Sequence, residues 1–227
     1  MIKLELPRYK NFNNSSCFVT TIAMVLRFYG DRINQREIFE KAKVYDPNDK
    51  KRCIGSTVPS GMLALKNEGY KMIAWHDKDE ADINNAGKEM EKFYNLWDKQ
   101  ITIAERLGIL ENHTHGKISY IEKFLDEGVP VIVGVKSKDF YEGNPSWENS
   151  IYNKKWSETT SHVVVVTGYT RDKYIFNDSS PFFKGEEGKD RIISKKKLEK
   201  AWRNAPEVKN AIFVLKKIKN KKLIERK

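Results

Sequence analysis

Residues 14–30, NSSCFVTTIAMVLRFYG, decide how the rest of the chain is read. Phe18, Ile22, Val25, Leu26 and Tyr29 recur at the spacing of one helical face. Asn14, Ser15 or Ser16 can cap the start and Gly30 supplies the stop, so the stretch reads as a helix opening at Cys17. At a helix N-terminus the unpaired backbone N–H groups and the helix dipole favour a negative charge, which promotes the nucleophilic thiolate. The same groups can hold the oxyanion that forms when a thiolate attacks a carbonyl. A small buried cysteine is the plain alternative for a lone thiol.

A second stretch bears on that choice. His162 opens the apolar run Val163 to Val166 directly after a polar segment, which reads as a strand covered on both faces with a histidine at its edge. Across a turn at Arg171-Asp172, Tyr174 to Asn177 reads as the next strand, ended by Asp178. Two antiparallel neighbours would bring His162 and Asp178 to the same end of the sheet. There a carboxylate can fix the imidazole tautomer and stabilise the imidazolium. A structural histidine and a turn-starting aspartate before Ser179-Ser180-Pro181 are the alternative.

The order Cys, His, Asp, with the cysteine opening a helix and the histidine opening a strand, resembles the C39-like peptidases, which are papain-fold enzymes. Asn14 to Cys17 with Ile22 to Gly30 is similar to that family's nucleophile helix. Ser161 to Tyr169 and Tyr174 to Pro181 are similar to its histidine and aspartate strands, and Trp202 fits a common position. The resemblance implies an α+β, papain-like cysteine proteinase fold, with a helical N-terminal half whose nucleophile helix packs on a C-terminal antiparallel sheet. It implies Cys17 as nucleophile, His162 as base and Asp178 as its partner, in a thiol hydrolase that takes a peptide or protein substrate through a thioester. Some members of the family remove leader peptides at a double-glycine site. The family usually places Gly-Pro after the cysteine, where this chain has Phe18-Val19, and a Gln six residues before it, where this chain has Asn11. Asn11 is the implied oxyanion donor, with Asn13 or Asn14 as alternatives. An acyltransferase using the same triad and a catalytically silent peptide-binding module remain open readings.

Outward from these stretches, helices are expected from Asn34 to about Val44 with an Asn34–Glu37 capping box, over Thr57–Glu68 with Pro59 in the first turn, over Ile118–Asp126 and over Lys195–Arg203. Strands are expected at Tyr70–Trp75, Val131–Val135 and Ala211–Leu215. Asp79 to Leu110 carries a helical stripe that includes Met90, Phe93, Tyr94, Trp97, Ile101 and Ala104, and residues 77–112 read as a helical insertion within one domain spanning 1–215. Ser137 to Ser161 reads as a long functional loop, in which Trp147 and Trp156 either line a substrate groove or form the loop's own core.

With 39% hydrophobic and 32% charged residues, the 227-residue chain has the composition of a globular protein. Its net charge of +11 divides into +6 over the basic tail, residues 216–227, and +5 over the remainder. A nucleic-acid role is therefore not expected beyond nonspecific contact by that tail. No run approaches the roughly 20 apolar residues that span a bilayer. The first ten residues lack a signal peptide's apolar segment, and a cytoplasmic location is expected. No cofactor and no metal site are expected: no CxxC pair occurs, and His113-Thr114-His115 lacks an evident third ligand. Cys53 reads as a bystander and His76 as a surface residue.

Overall fold

The computed structural model describes residues 1–13, 15–45, 51, 53–78, 87–155, 160–205 and 208–218. The first half of the chain contributes strand β1 (Ile2–Lys3), helices α1 (Cys17–Phe28) and α2 (Gln35–Ala42), strands β2 (Lys43–Tyr45) and β3 (Cys53–Ser56), helix α3 (Val58–Ala64), strand β4 (Tyr70–Lys78), helix α4 (Gly87–Arg106) and strand β5 (Leu110–His113). The second half adds α5 (Ser119–Asp126), β6 (Val131–Lys136), α6 (Ser137–Tyr141), α7 (Pro145–Glu148), α8 (Ile151–Lys155), β7 (Ser161–Tyr169), β8 (Lys173–Asn177), β9 (Arg191–Ser194), α9 (Lys195–Arg203) and β10 (Val208–Lys217). Among the described residues no helix is long and apolar enough to cross a membrane.

An eight-stranded sheet runs in the order β5-β4-β10-β6-β7-β8-β9, with β1 paired to the far end of β7. All its neighbours are antiparallel except β4 and β5. That parallel pair is joined through α4, as a parallel pair requires a crossover. The sheet thus draws β1, β4 and β5 from the half of the chain whose sequence pattern is dominated by helices. Both faces are covered. Val165 and Ile132 point into a core with α1, α2, α3 and α4, while Val164, Val166, Val131 and Val133 point into a second core with α5, α6 and α9. The unbroken apolar run of β7 follows from this, since a strand buried on both faces has no polar side to alternate with.

Helix α1 lies at the centre of the first core and is buried all round from Phe18 to Leu26. It ends where expected. Gly30, with φ +89°, donates to Arg27 O while Asp31 donates to Leu26 O, the paired bonds of a Schellman stop. Asn34 caps α2 through the Arg36 N–H, whereas the reciprocal capping box forms at Thr57 and Ser60 of α3. Among the described residues of 137–161, expected as a long loop, three short helices form. Asn144 accepts from the Ser146 and Trp147 N–H groups, and Pro145 starts the turn. Trp147 is buried against Tyr141 and Phe182 and belongs to the second core of the molecule, where it joins this segment to the sheet. Trp156 lies outside the described residues, as do Asn14 and residues 219–227 of the basic tail.

Candidate active site

The position of Cys17 follows from how α1 begins. Ser16 occupies the N-cap position, yet its hydroxyl donates to Asn13 O rather than accepting from the helix. The first helical bond is Thr20 N–H to Ser16 O, and the Ser16 side chain takes none of the N–H groups of the turn that Cys17 opens. Cys17 is a free, partly exposed thiol.

His162 is placed by register. It pairs with Val135 across β6, and β8 returns antiparallel beside it with Val165 opposite Asn177. Asp178, the next residue, is therefore delivered to His162, and Asp178 Oδ1 lies 3.0 Å from His162 Nε2. That contact occupies Nε2 and leaves Nδ1 for the thiol. Cys17 and His162 line the same cleft, and a side-chain hydrogen bond joins them. Burial alone would lower the His162 pKa. The Asp178 charge and hydrogen bond, followed by the hydrogen bond and charge of Cys17, reverse this and push it up to about 9.

Asp178 is fully buried, which would raise its pKa, yet it is held below the usual carboxylate value by the His162 charge and by its donors. Oδ1 also accepts from the Ser180 N–H at 2.8 Å, and Oδ2 accepts from the Tyr141 hydroxyl at 2.7 Å. Ser180 Oγ lies 2.6 Å from Tyr141 Oη and 3.1 Å from His162 Nε2, closing a ring of four side chains. Such a ring holds a buried carboxylate charged because each of its oxygens faces a donor. Burial and the Asp178 charge push the Tyr141 hydroxyl well above its ordinary pKa, so it stays a donor.

The turn that carries Asp178 is clamped from two sides. Arg8 donates to the carbonyls of Asp178, Ser180 and Gly185, and the Asn177 side chain donates to Leu6 O and Pro7 O. From the other side Gly188 O accepts from Asp178 N–H, and a Cβ on Gly188 would lie 2.4 Å from Asp178 O. Asn11 sits on the first clamp. Its N–H donates to Ser179 O at 2.7 Å, its side chain is buried, and its Oδ1 has no partner among the described residues. It does not line the cleft that holds Cys17 and His162.

The structure therefore brings Cys17, His162 and Asp178 together, and puts Asn11 beside Asp178 rather than in the cleft wall. Tyr141, Ser180 and Arg8 had no sequence signal of function, because their roles depend on the partners that folding supplies. The expectation of a surface His76 is corrected. It is buried beneath Trp97, ring centroids 6.2 Å apart, because β4 extends to Lys78 and turns this residue inward. His113 stacks on Trp75, and His115 is exposed beside Asp77 with φ +57°. Cys53 pairs with Tyr45 in the small β2–β3 sheet; its side chain lies outside the description.

The sequence matches the Peptidase_C39 like family over residues 3–210. The chain belongs to that family. It is thereby a cysteine peptidase by family and papain-like by fold. The peptidase is similar to a crystal structure described as a C39-like peptidase from Bacillus anthracis, at 17% identity and a TM-score of 0.56, over 96% of this chain and 98% of that one. Two further likenesses have lower TM-scores and carry no part of the argument. One is a double glycine motif protease from an AMS/PCAT transporter in complex with the leader peptide, at 12% identity and 0.47 over 93% of each chain. The other is the peptidase domain of Streptococcus ComA, a bi-functional ABC transporter involved in a quorum sensing pathway, at 16% identity and 0.46, over 93% of this chain and 97% of that one. No curated protein is a significant match to the chain.

Proposed function

We propose that the peptidase hydrolyses a peptide or amide bond through Cys17, His162 and Asp178 by way of a thioester. The observation that carries this is the His162 imidazole, joined on one side to Asp178 at 3.0 Å and on the other to Cys17 at a cleft. With its pKa pushed up to about 9, His162 holds a proton at neutral pH and supplies the cation that a Cys17 thiolate needs beside it as it attacks. The thiolate attacks the carbonyl carbon, and the backbone N–H groups of the turn that Cys17 opens stabilise the oxyanion. His162 gives its proton to the departing amine as the C–N bond breaks, leaving the acyl group on sulfur. Water then gives a proton to His162 and attacks the thioester. The acid is released and the thiolate–imidazolium pair returns, so the net change is amide plus water to acid plus amine.

Alkylation of Cys17 by iodoacetamide, followed peptide by peptide against Cys53 across pH, tests the pair. Rapid alkylation of Cys17 near pH 6, slowed about tenfold or more in His162→Ala, is the expected result. A Cys17 rate indifferent to His162 would remove the pair from the mechanism. A peptide panel read by mass spectrometry then separates enzyme from binding module: the enzyme creates new termini in a manner abolished by Cys17→Ala, whereas a silent module binds peptides equally with either residue.

A further inference from the structure

The cleft beside Cys17 measures about 100 Å³, room for roughly three water molecules. It is far smaller than the several hundred Å³ of a small-molecule site. Its walls include Phe18, Val58, Trp97, Val163, Ala205 and Phe213, and among the described residues no lining side chain apart from Cys17 and His162 is ionisable. A charged group entering it would lose its water and, away from the Cys17–His162 pair at its mouth, meet only apolar and uncharged walls, which disfavours its entry. Space and chemistry together suit one short branched apolar side chain.

Trp97 is the wall that comes from elsewhere in the chain. Phe18 stands on α1, Val58 on α3, and Val163 and Phe213 on the central sheet, whereas Trp97 projects from α4, the crossover between β4 and β5. The next turn of the same helix is tied to the cleft rim: the Thr57 hydroxyl donates to Gln100 Oε1 at 2.9 Å, and Thr57 itself lines the cleft. Ile101 and Ala104 bury the same face of α4 in the core. Trp97 is 9% exposed, so it is held by the core beneath it and by the Gln100 tether beside it.

We propose that Trp97 is the specificity-determining residue of this site: through α4 it limits the substrate side chain next to the reacting carbonyl to one apolar group of about leucine size. The inference rests on Cys17 being the reacting residue, and it can be tested without turnover. Cys17 is labelled in the full chain with isobutyl, benzyl and sulfonatoethyl methanethiosulfonate, and the rate at Cys17 is read by peptide mass spectrometry, each reagent normalised to its rate with free cysteine. In the native protein the isobutyl reagent is expected to react at least about tenfold faster than either the charged or the benzyl reagent, the discrimination that a hydrophobic pocket gives per misfit group. Trp97→Ala is expected to raise the benzyl rate by about tenfold while the sulfonatoethyl rate stays low.

Because Trp97→Ala removes core packing, Gln100→Ala is measured alongside. It leaves the indole in place but frees the tether, and it is expected to raise the benzyl rate in the same direction by a smaller factor. Equal normalised rates for the three reagents, or an unchanged benzyl-to-isobutyl ratio in Gln100→Ala, would overturn the inference. Failure of the hydrolase reading shows separately, as a peptide panel left uncleaved by a protein whose Cys17 still discriminates among the reagents.

Discussion

Asp178 accepts from His162, Ser180 and Tyr141 while wholly excluded from water, and each donor has a different task. A hydrogen bond to a charged group contributes about 1.5–3 kcal/mol, and a lost donor leaves a buried lone pair unpaired. Tyr141→Phe keeps the ring stacked on Trp147 but deletes the bond to Asp178 Oδ2. Its kcat should fall roughly ten- to a hundredfold with KM little changed, and the pH dependence of Cys17 alkylation should move with it; a purely structural tyrosine would shift only the melting temperature. Asn11 is tied to Ser179 and stands outside the cleft wall, so Asn11→Ala should leave kcat within a few-fold by steady-state kinetics. A loss of about a hundredfold or more would make it the oxyanion donor that the resemblance implies. At this scale the sequence exposes Cys17, His162 and Asp178 because each opens or follows a regular element. Tyr141 ends a short helix and Ser180 sits in the turn after β8, neither with a pattern of its own, and only contact makes them part of the site.

Two glycines separate the energetics of elements from the geometry of the site. Gly30 has φ +89° and open space where a Cβ would stand, so Gly30→Ala has only a conformational cost, about 1 kcal/mol. Thermal denaturation should show a lower melting temperature, with activity per folded molecule retained. At Gly188 a Cβ would lie 2.4 Å from Asp178 O and 2.7 Å from Arg8 Nε, so Gly188→Ala must displace the turn that carries Asp178. There kcat should fall by more than the change in folded fraction explains, measured at a temperature well below the unfolding transition. Element boundaries followed the sequence closely at Gly30 and at α9, whereas α3, expected to run to Glu68 before Gly69, ends at Ala64. They departed from it in residues 137–161, where the burial of Trp147 against Tyr141 and Phe182 stabilises short helices that carry no periodic signal of their own.

For the whole molecule, the His162–Asp178 pair links the fold to pH. His162 is raised from 6.5 to about 9, so its contribution to stability is complete below about pH 6.5 and is lost as pH rises through about 9. Asp178 is lowered from 3.8, so its contribution is present above that pH and is lost on acidification. The two describe one interaction seen from either partner. The stability advantage of the native protein over Asp178→Asn should therefore be greatest between about pH 4 and 6.5 and shrink on either side, as denaturant titrations across pH would show. A constant advantage through pH 9 would mean that His162 is not held protonated by Asp178.

The sequence alone determined helix α1 and the two-faced strand of His162, because these rest on short-range signals: apolar period, helix caps and stops, and a run of valines with no polar side. Its resemblance to known sequences carried the family. Tertiary structure decided the rest. It recruited β4 and β5 into the sheet through α4, buried His76, closed the ring of Tyr141 and Ser180 around Asp178, and set Trp97 against the cleft. Each of these is a contact between residues distant along the chain, and its free energy comes from burial and partnered charge, which exist only once both sides of the sheet are packed.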